Sequence, residues 1–219
     1  MGFYEYFINN IIRPKHEKIE HLHNSSFRNY LRKKYGDTVE MIKYLSKGLI
    51  PLIQKPQQLI HDDTDYYTAI DMYTGTYYAC FRNLLMLDID YKTEQFETQS
   101  QILNFLDKFA KERDLIMMVY SSAHGVHAFL VDNERDFKDE SSLQLMLDAG
   151  VDFYYIVYSY LRGWSVRLNK KERDDTEQIY TYIKCIGDIK SANSRLIKLT
   201  EAHYIESLTY DNQLKSKMY

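Results

Sequence analysis

Between residues 82 and 169 the hydrophobic pattern changes period in an order that narrows the fold. The stretch "NLLMLDID" reads as a strand, and "TQSQILNFLDKFAKER" (98–113) sets Ile102, Leu103, Leu106, Phe109 and Ala110 at helical spacing, with Lys and Arg in its last turn. "LIMMVY" (115–120) and "VHAFLV" (126–131) are strand-like, joined by "SSAHG" with its late glycine, which predicts a hairpin. "SSLQLMLDAGVDFYYIVYSYLRG" (141–163) reads as one long Ser-capped helix and "WSVRLN" (164–169) as another strand. The order β-α-β-β-α-β predicts an α+β protein with a ferredoxin-like (RRM-like) core.

That order carries a geometric expectation. A right-handed crossover leaves the first two strands parallel with a gap, and the third strand fills it, antiparallel to both. The end of the first strand, with Asp88 and Asp90, then lies beside the start of the third, with His127. The fourth strand is expected on the other side of the first. Side chains alternate along strands, so Asp88 and Asp90 share a face, as do His127 and Phe129, and as do Ser165, Arg167 and Asn169. The alternate sets (Val126, Ala128, Leu130; Trp164, Val166, Leu168) suit a face under the helices. Two carboxylates, an imidazole and a guanidinium are thereby expected to converge.

Composition limits the alternatives. With 219 residues and 45% apolar content the chain fits one domain, or one domain plus an extension. The division expected is a mostly helical N-terminal extension over 1–75 packing on a core over 76–219. In the extension, "DTVEMIKYLSKG" has Asp37 or Thr38 as N-cap and Gly48 as a stop, and "RNYLRKKYG" (28–36) is a basic run. "HLH" (21–23) and "HDDTD" (61–65) are local clusters that read as surface or loop. No stretch reaches the roughly 20 apolar residues of a membrane span. The start lacks a signal-peptide pattern, and the cysteines, Cys80 and Cys185, are too few for a disulfide framework, so a reducing, intracellular, cytoplasmic setting is expected. A net charge of −3 offers nucleic acid no global attraction, which leaves any such binding to a local patch.

A carboxylate pair at a strand end suits nucleotidyl transfer, where two divalent ions about 3.5–4 Å apart stabilise the attacking and leaving oxygens. Hard ions such as Mg²⁺ or Mn²⁺ prefer carboxylate oxygen, and arginine's planar fork suits phosphate. His127 and Arg167, with Lys170 and Lys171 nearby, are the candidate triphosphate holders.

The trio "LMLDID", "SSAHGVH" and "VRLNKK", in this order over roughly residues 80–200, resembles the archaeo-eukaryotic primase (primase-polymerase) superfamily. The resemblance implies that Asp88 and Asp90 ligate the catalytic metals and that His127 contacts the incoming nucleotide's phosphates. Ser121 and Ser122 match the small polar residues before it, His124 stands at the hairpin tip within reach of a phosphate or template, and Arg167 and Lys170 match the Arg and Lys of some relatives' third motif. Many members carry an acid where Asn169 stands; an amide ligates through oxygen but brings no charge. The resemblance further implies a single-stranded nucleic acid template, nucleoside triphosphates and a helicase or other replication protein as partners, within a cell or in the host of a virus or plasmid. Besides catalysis, it accommodates a primase-like protein that binds nucleic acid or a replication partner without turnover.

Each residue alone has an ordinary reading: Asp-x-Asp as a solvated strand exit, His127 as a sheet histidine, Arg167 as an ion-paired surface residue. A haloacid-dehalogenase-type phosphatase would want Thr where Lys92 stands. A nucleotide-sugar glycosyltransferase would need an upstream βαβ nucleotide-binding half. A metal-dependent nuclease on the same frame is a third class.

Overall fold

The computed structural model describes residues 33, 36–48, 57–71, 76–169 and 180–201. The chain divides into two compact units, Met1–Gln54 and Lys55–Tyr219. "HLH" and most of the basic run 28–36 lie outside the described residues.

In the first unit, helix α1 (Val39–Gly48) is capped by Thr38, whose Oγ1 accepts from the Met41 N–H at 3.2 Å. Val39, Met41, Ile42 and Leu45 are buried, the helical spacing that the sequence shows.

The second unit is α+β, with two four-stranded antiparallel sheets. The first sheet is built from β1 (Gln57–Asp62), β2 (Tyr66–Asp71), β3 (Tyr77–Phe81) and β7 (Trp164–Arg167), in that spatial order. The second has the order β4 (Met86–Asp90), β6 (Gly125–Leu130), β5 (Met117–Ser121), β8 (Thr181–Ile186). Helix α2 (Gln99–Arg113) follows β4, and α3 (Glu140–Asp148) and α4 (Phe153–Arg162) precede β7.

Three of the expected strands stand as the sequence predicts: β6 lies between β4 and β5, antiparallel to both. Thr98 caps α2 in a reciprocal capping box with Gln101, and Ile102, Leu106, Phe109 and Ala110 are buried. This helix lies against β6 and β8, where Lys184 Nζ meets Asp107 Oδ2 at 2.6 Å. It covers the face that carries Leu87, Ile89, Val126 and Ala128.

The fourth strand is where the structure corrects the ferredoxin-like expectation. β7 pairs with β3 in the other sheet, Phe81 opposite Trp164 and Tyr78 opposite Arg167, while β8 closes the second sheet at the β5 edge. The physical reason lies in "YYACF", a short strand whose Ala79 and Phe81 continue in register onto Val166 and Trp164. Pairing there buries Trp164 completely, its indole Nε1 3.3 Å from Met146 Sδ and its ring edge-on to Phe137. Residues 57–71, expected within a helical extension, are likewise a β-hairpin paired onto β3. "HDDTD" runs from the end of β1 into its turn at 63–65, with Asp63 accepting from the Asp65 and Tyr66 N–H groups. The single helix expected over 141–163 is two, α3 and α4, separated around Gly150, which sits at φ +71, a conformation that interrupts a right-handed helix.

The two sheets meet through Phe81 and Phe129, whose rings are 6.1 Å apart and nearly perpendicular. No helix among the described residues is long and apolar enough to cross a membrane.

Gly125 faces Asp90 across the β4–β6 pair, and a Cβ there would fall 2.2 Å from the Ile89 carbonyl oxygen. Gly125→Ala is therefore expected to push the strands apart, costing about 2–3 kcal/mol and lowering the melting temperature by about 5–10 °C in a thermal denaturation followed by circular dichroism.

Candidate functional site

The chain buries Leu84, Leu85, Met86 and Leu87 and then presents Asp88 and Asp90 on one side of β4. Asp88 is the direct cross-strand partner of His127, and His127 in turn of Tyr120. His127 Nε2 lies 3.3 Å from Asp88 Oδ1, the imidazole 7% exposed as a residue and the Asp88 side chain 30%. The ring packs against Tyr180 at 4.7 Å, and its Nδ1 is buried without a hydrogen-bond partner. A buried imidazole nitrogen left unpaired costs free energy unless a ligand completes it.

Asp90 stands at the strand end, where the residue as a whole is exposed. Burial of its carboxyl against the protein, then the charges of Asp88 and Asp152, push its pKa up to about 6, while His127 and His124 pull the other way. Asp152 is a participant that reading the sequence did not single out. It is the N-cap of α4, its side chain accepting from the Tyr155 N–H at 3.0 Å. The available signal was an Asp set just ahead of the run "FYYIVYSY", the position a helix cap occupies. Tyr155 itself reaches from α4 to β7, donating to the Ser165 carbonyl at 3.1 Å. Burial, with the charge of Asp88 adding to it, holds its hydroxyl well above the ordinary tyrosine range.

The remaining expected residues fall in different places. Arg167 is on the first sheet rather than beside β4; the connection from His127 to its strand runs through Tyr180, whose hydroxyl donates to the Arg167 carbonyl at 2.8 Å. Ser121 sits on the side of the second sheet away from His127, and its hydroxyl donates to the Thr181 carbonyl at 3.3 Å. Ser122 donates its N–H to the Gly125 carbonyl in the hairpin turn at 3.0 Å. His124 is exposed at the tip, its carbonyl accepting from the Tyr91 N–H at 3.0 Å. Asn169 Oδ1 accepts from the Tyr77 N–H at 2.8 Å and so ties the end of β7 to β3. Lys170 lies outside the described residues.

As a cation site, Asp88 and Asp90 present oxygen donors of the kind hard divalent ions favour, at a point where like charges repel. Among the described residues, no group of three or more His, Cys, Asp or Glu side chains is arranged to hold a metal ion. Among the described residues the donors at this point are two carboxylates, with other oxygens left to fill a coordination shell. No protein-family model, curated protein or solved structure matches this chain.

The raised pKa of Asp90 has a definite sign. The folded protein holds this proton more tightly than the unfolded chain does, so its contribution to stability is present below about pH 4 and is lost as pH rises through about 6. Asp90→Asn is expected to raise the melting temperature at pH 7.5 and to leave it unchanged at pH 4. Millimolar Mn²⁺ is expected to raise that of the native protein at pH 7.5, and that of the variant far less, in differential scanning fluorimetry.

Proposed function

We propose that the protein is a metal-dependent nucleotidyltransferase of the DNA primase or primase-polymerase kind, extending a chain on a single-stranded template. The observation that carries this reading is the in-register pair Asp88–His127 with Asp90 on the same strand face, where burial, with the charges of Asp88 and Asp152 adding to it, pushes the Asp90 pKa up to about 6. Such crowding of carboxylates is costly in a purely structural role and useful in one that recruits cations.

In this reading Asp88 and Asp90 hold Mg²⁺ or Mn²⁺, and the bound ions supply positive charge at the attacking and leaving oxygens. His127, anchored through Nε2 to Asp88, offers Nδ1 to a phosphate oxygen. Arg167 and Lys170, with Ser122 and His124 at the hairpin, belong to the triphosphate or template side. The attacking group is a 3′-hydroxyl aligned without a dedicated protein base. A helicase or other replication protein is the fitting partner, inside a cell or in the host of a virus or plasmid.

A second reading, a primase-like protein that binds nucleic acid or a replication partner without turnover, is favoured by one observation. The position where an acid would stand is Asn169, and its oxygen is committed to the Tyr77 N–H.

Incubation with single-stranded template, labelled nucleotides and Mg²⁺ or Mn²⁺ distinguishes them. Extension that requires metal and falls to background in Asp88→Ala/Asp90→Ala supports catalysis. Template binding equal in both proteins, with no extension, supports the binding-only reading, and shortening of the template points to a nuclease.

A further inference from the structure

Two guanidinium groups, Arg167 on β7 of the first sheet and Arg162 at the end of α4, meet no carboxylate among the described residues. Arg82, Arg113, Arg135 and Arg195 each meet a carboxylate. Among the described residues, Arg162 and Arg167 form no ion pair at all. Both have a buried Nε without a hydrogen-bond partner. Both residues are half-buried, and a buried N–H left without a partner costs free energy that a guanidinium cannot escape by shedding its proton.

The two are brought together by β7 and the end of α4. Arg162 Nη2 donates to Ser165 Oγ at 3.3 Å, and its guanidinium carbon lies 5.2 Å from the Tyr78 ring and 5.3 Å from that of Tyr158. Tyr78 is the cross-strand partner of Arg167, and Ser165 shares the strand face with Arg167. Ser165 and Arg167, two apart on β7, project to the same side about 7 Å apart along the strand, so Arg162, held at Ser165 Oγ and at the ring of Arg167's cross-strand partner, stands on Arg167's side of the sheet. On this face Asp62, opposite Tyr67, is already taken up by Arg82 at 2.6 Å. Burial raises the Cys80 thiol, opposite Ser165, to about 11, and the Tyr67 hydroxyl is raised by burial and by Cys80.

We propose that Arg162 and Arg167, with the Ser165 hydroxyl between them, form an oxyanion site for a phosphate group. This deepens the nucleotidyl-transfer reading by adding Arg162 and Ser165 to the phosphate-binding side, and it rests on that reading only for the source of the phosphate: a nucleoside triphosphate or the backbone of a strand.

Calorimetric titration in EDTA separates the anion site from the metal site. Inorganic tripolyphosphate is expected to bind the native protein, and Arg162→Gln or Arg167→Gln to weaken it about tenfold or more. Asp88→Asn/Asp90→Asn is expected to retain binding. Arg162→Lys keeps a cation on the tyrosine rings and serves as the fold-preserving variant, expected to weaken binding less than Gln. Binding of a single-stranded oligonucleotide but not of tripolyphosphate, lost in the same variants, supports the site and assigns it to the strand backbone. If the folded native protein binds neither ligand, or if the arginine variants bind as it does, the proposal is overturned. Loss of template extension in the metal assay with these anion results intact would remove the catalytic reading alone.

Discussion

The register between β4 and β6 decides what the second sheet presents on each side. With Asp88 opposite His127, the carboxylates share a face with the imidazole, and Leu87 and Ile89 lie under α2 with Ala128 and Val126. A slip of one residue would reverse this, driving two charges into the apolar layer and putting leucine and isoleucine in their place. The close approach at Gly125 and the apolar run 84–87 both hold that alignment. The carboxylate repulsion at the strand end is therefore imposed by packing elsewhere, which is how a fold keeps an arrangement that its own electrostatics oppose.

The parts legible in the sequence were those governed by local period and pairing: α2 with its cap, the β5–β6 hairpin, and the antiparallel placement of β6 beside β4. Each depends on neighbours close in the chain or on a well-attested crossover rule. The placement of β7 was not legible, because the choice between the free edges of β3 and β4 rests on tertiary burial of Trp164 rather than on anything within "WSVRLN". "YYACF" is short and lacks a polar–apolar alternation, so the strand that captures β7 left little trace. Gly150 was visible within the helical run, but a lone glycine does not say whether a helix bends, ends or continues.

For the site, the sequence pointed to Asp88, Asp90 and His127 as neighbours, and the geometry has Asp88 and His127 in contact. It did not separate Ser121 from that group, although parity along β5 puts it on the opposite side, because the hairpin's register depends on its exact turn. Asp152 and Arg162 went unnoticed for a shared reason: both stand at the ends of α4, a helix that the reading had merged into a longer one. Once the break is in place, one end of α4 contributes negative charge near Asp90 and the other a cation beside Ser165.

The two sheets are interleaved along the chain. β7 leaves the β4–β5–β6 segment to complete the earlier sheet, and β8 then returns to complete the later one. Neither sheet can close until its last strand has been synthesised, so both wait on residues beyond 163. A cut between β3 and β4 would leave the first sheet without β7, which stays with the other fragment. Such non-local closure slows folding and leaves unpaired edges exposed in partly made chains. The acidic pair is placed by the β4–β6 pairing, whereas Arg167 takes its place only with the strand that completes the first sheet.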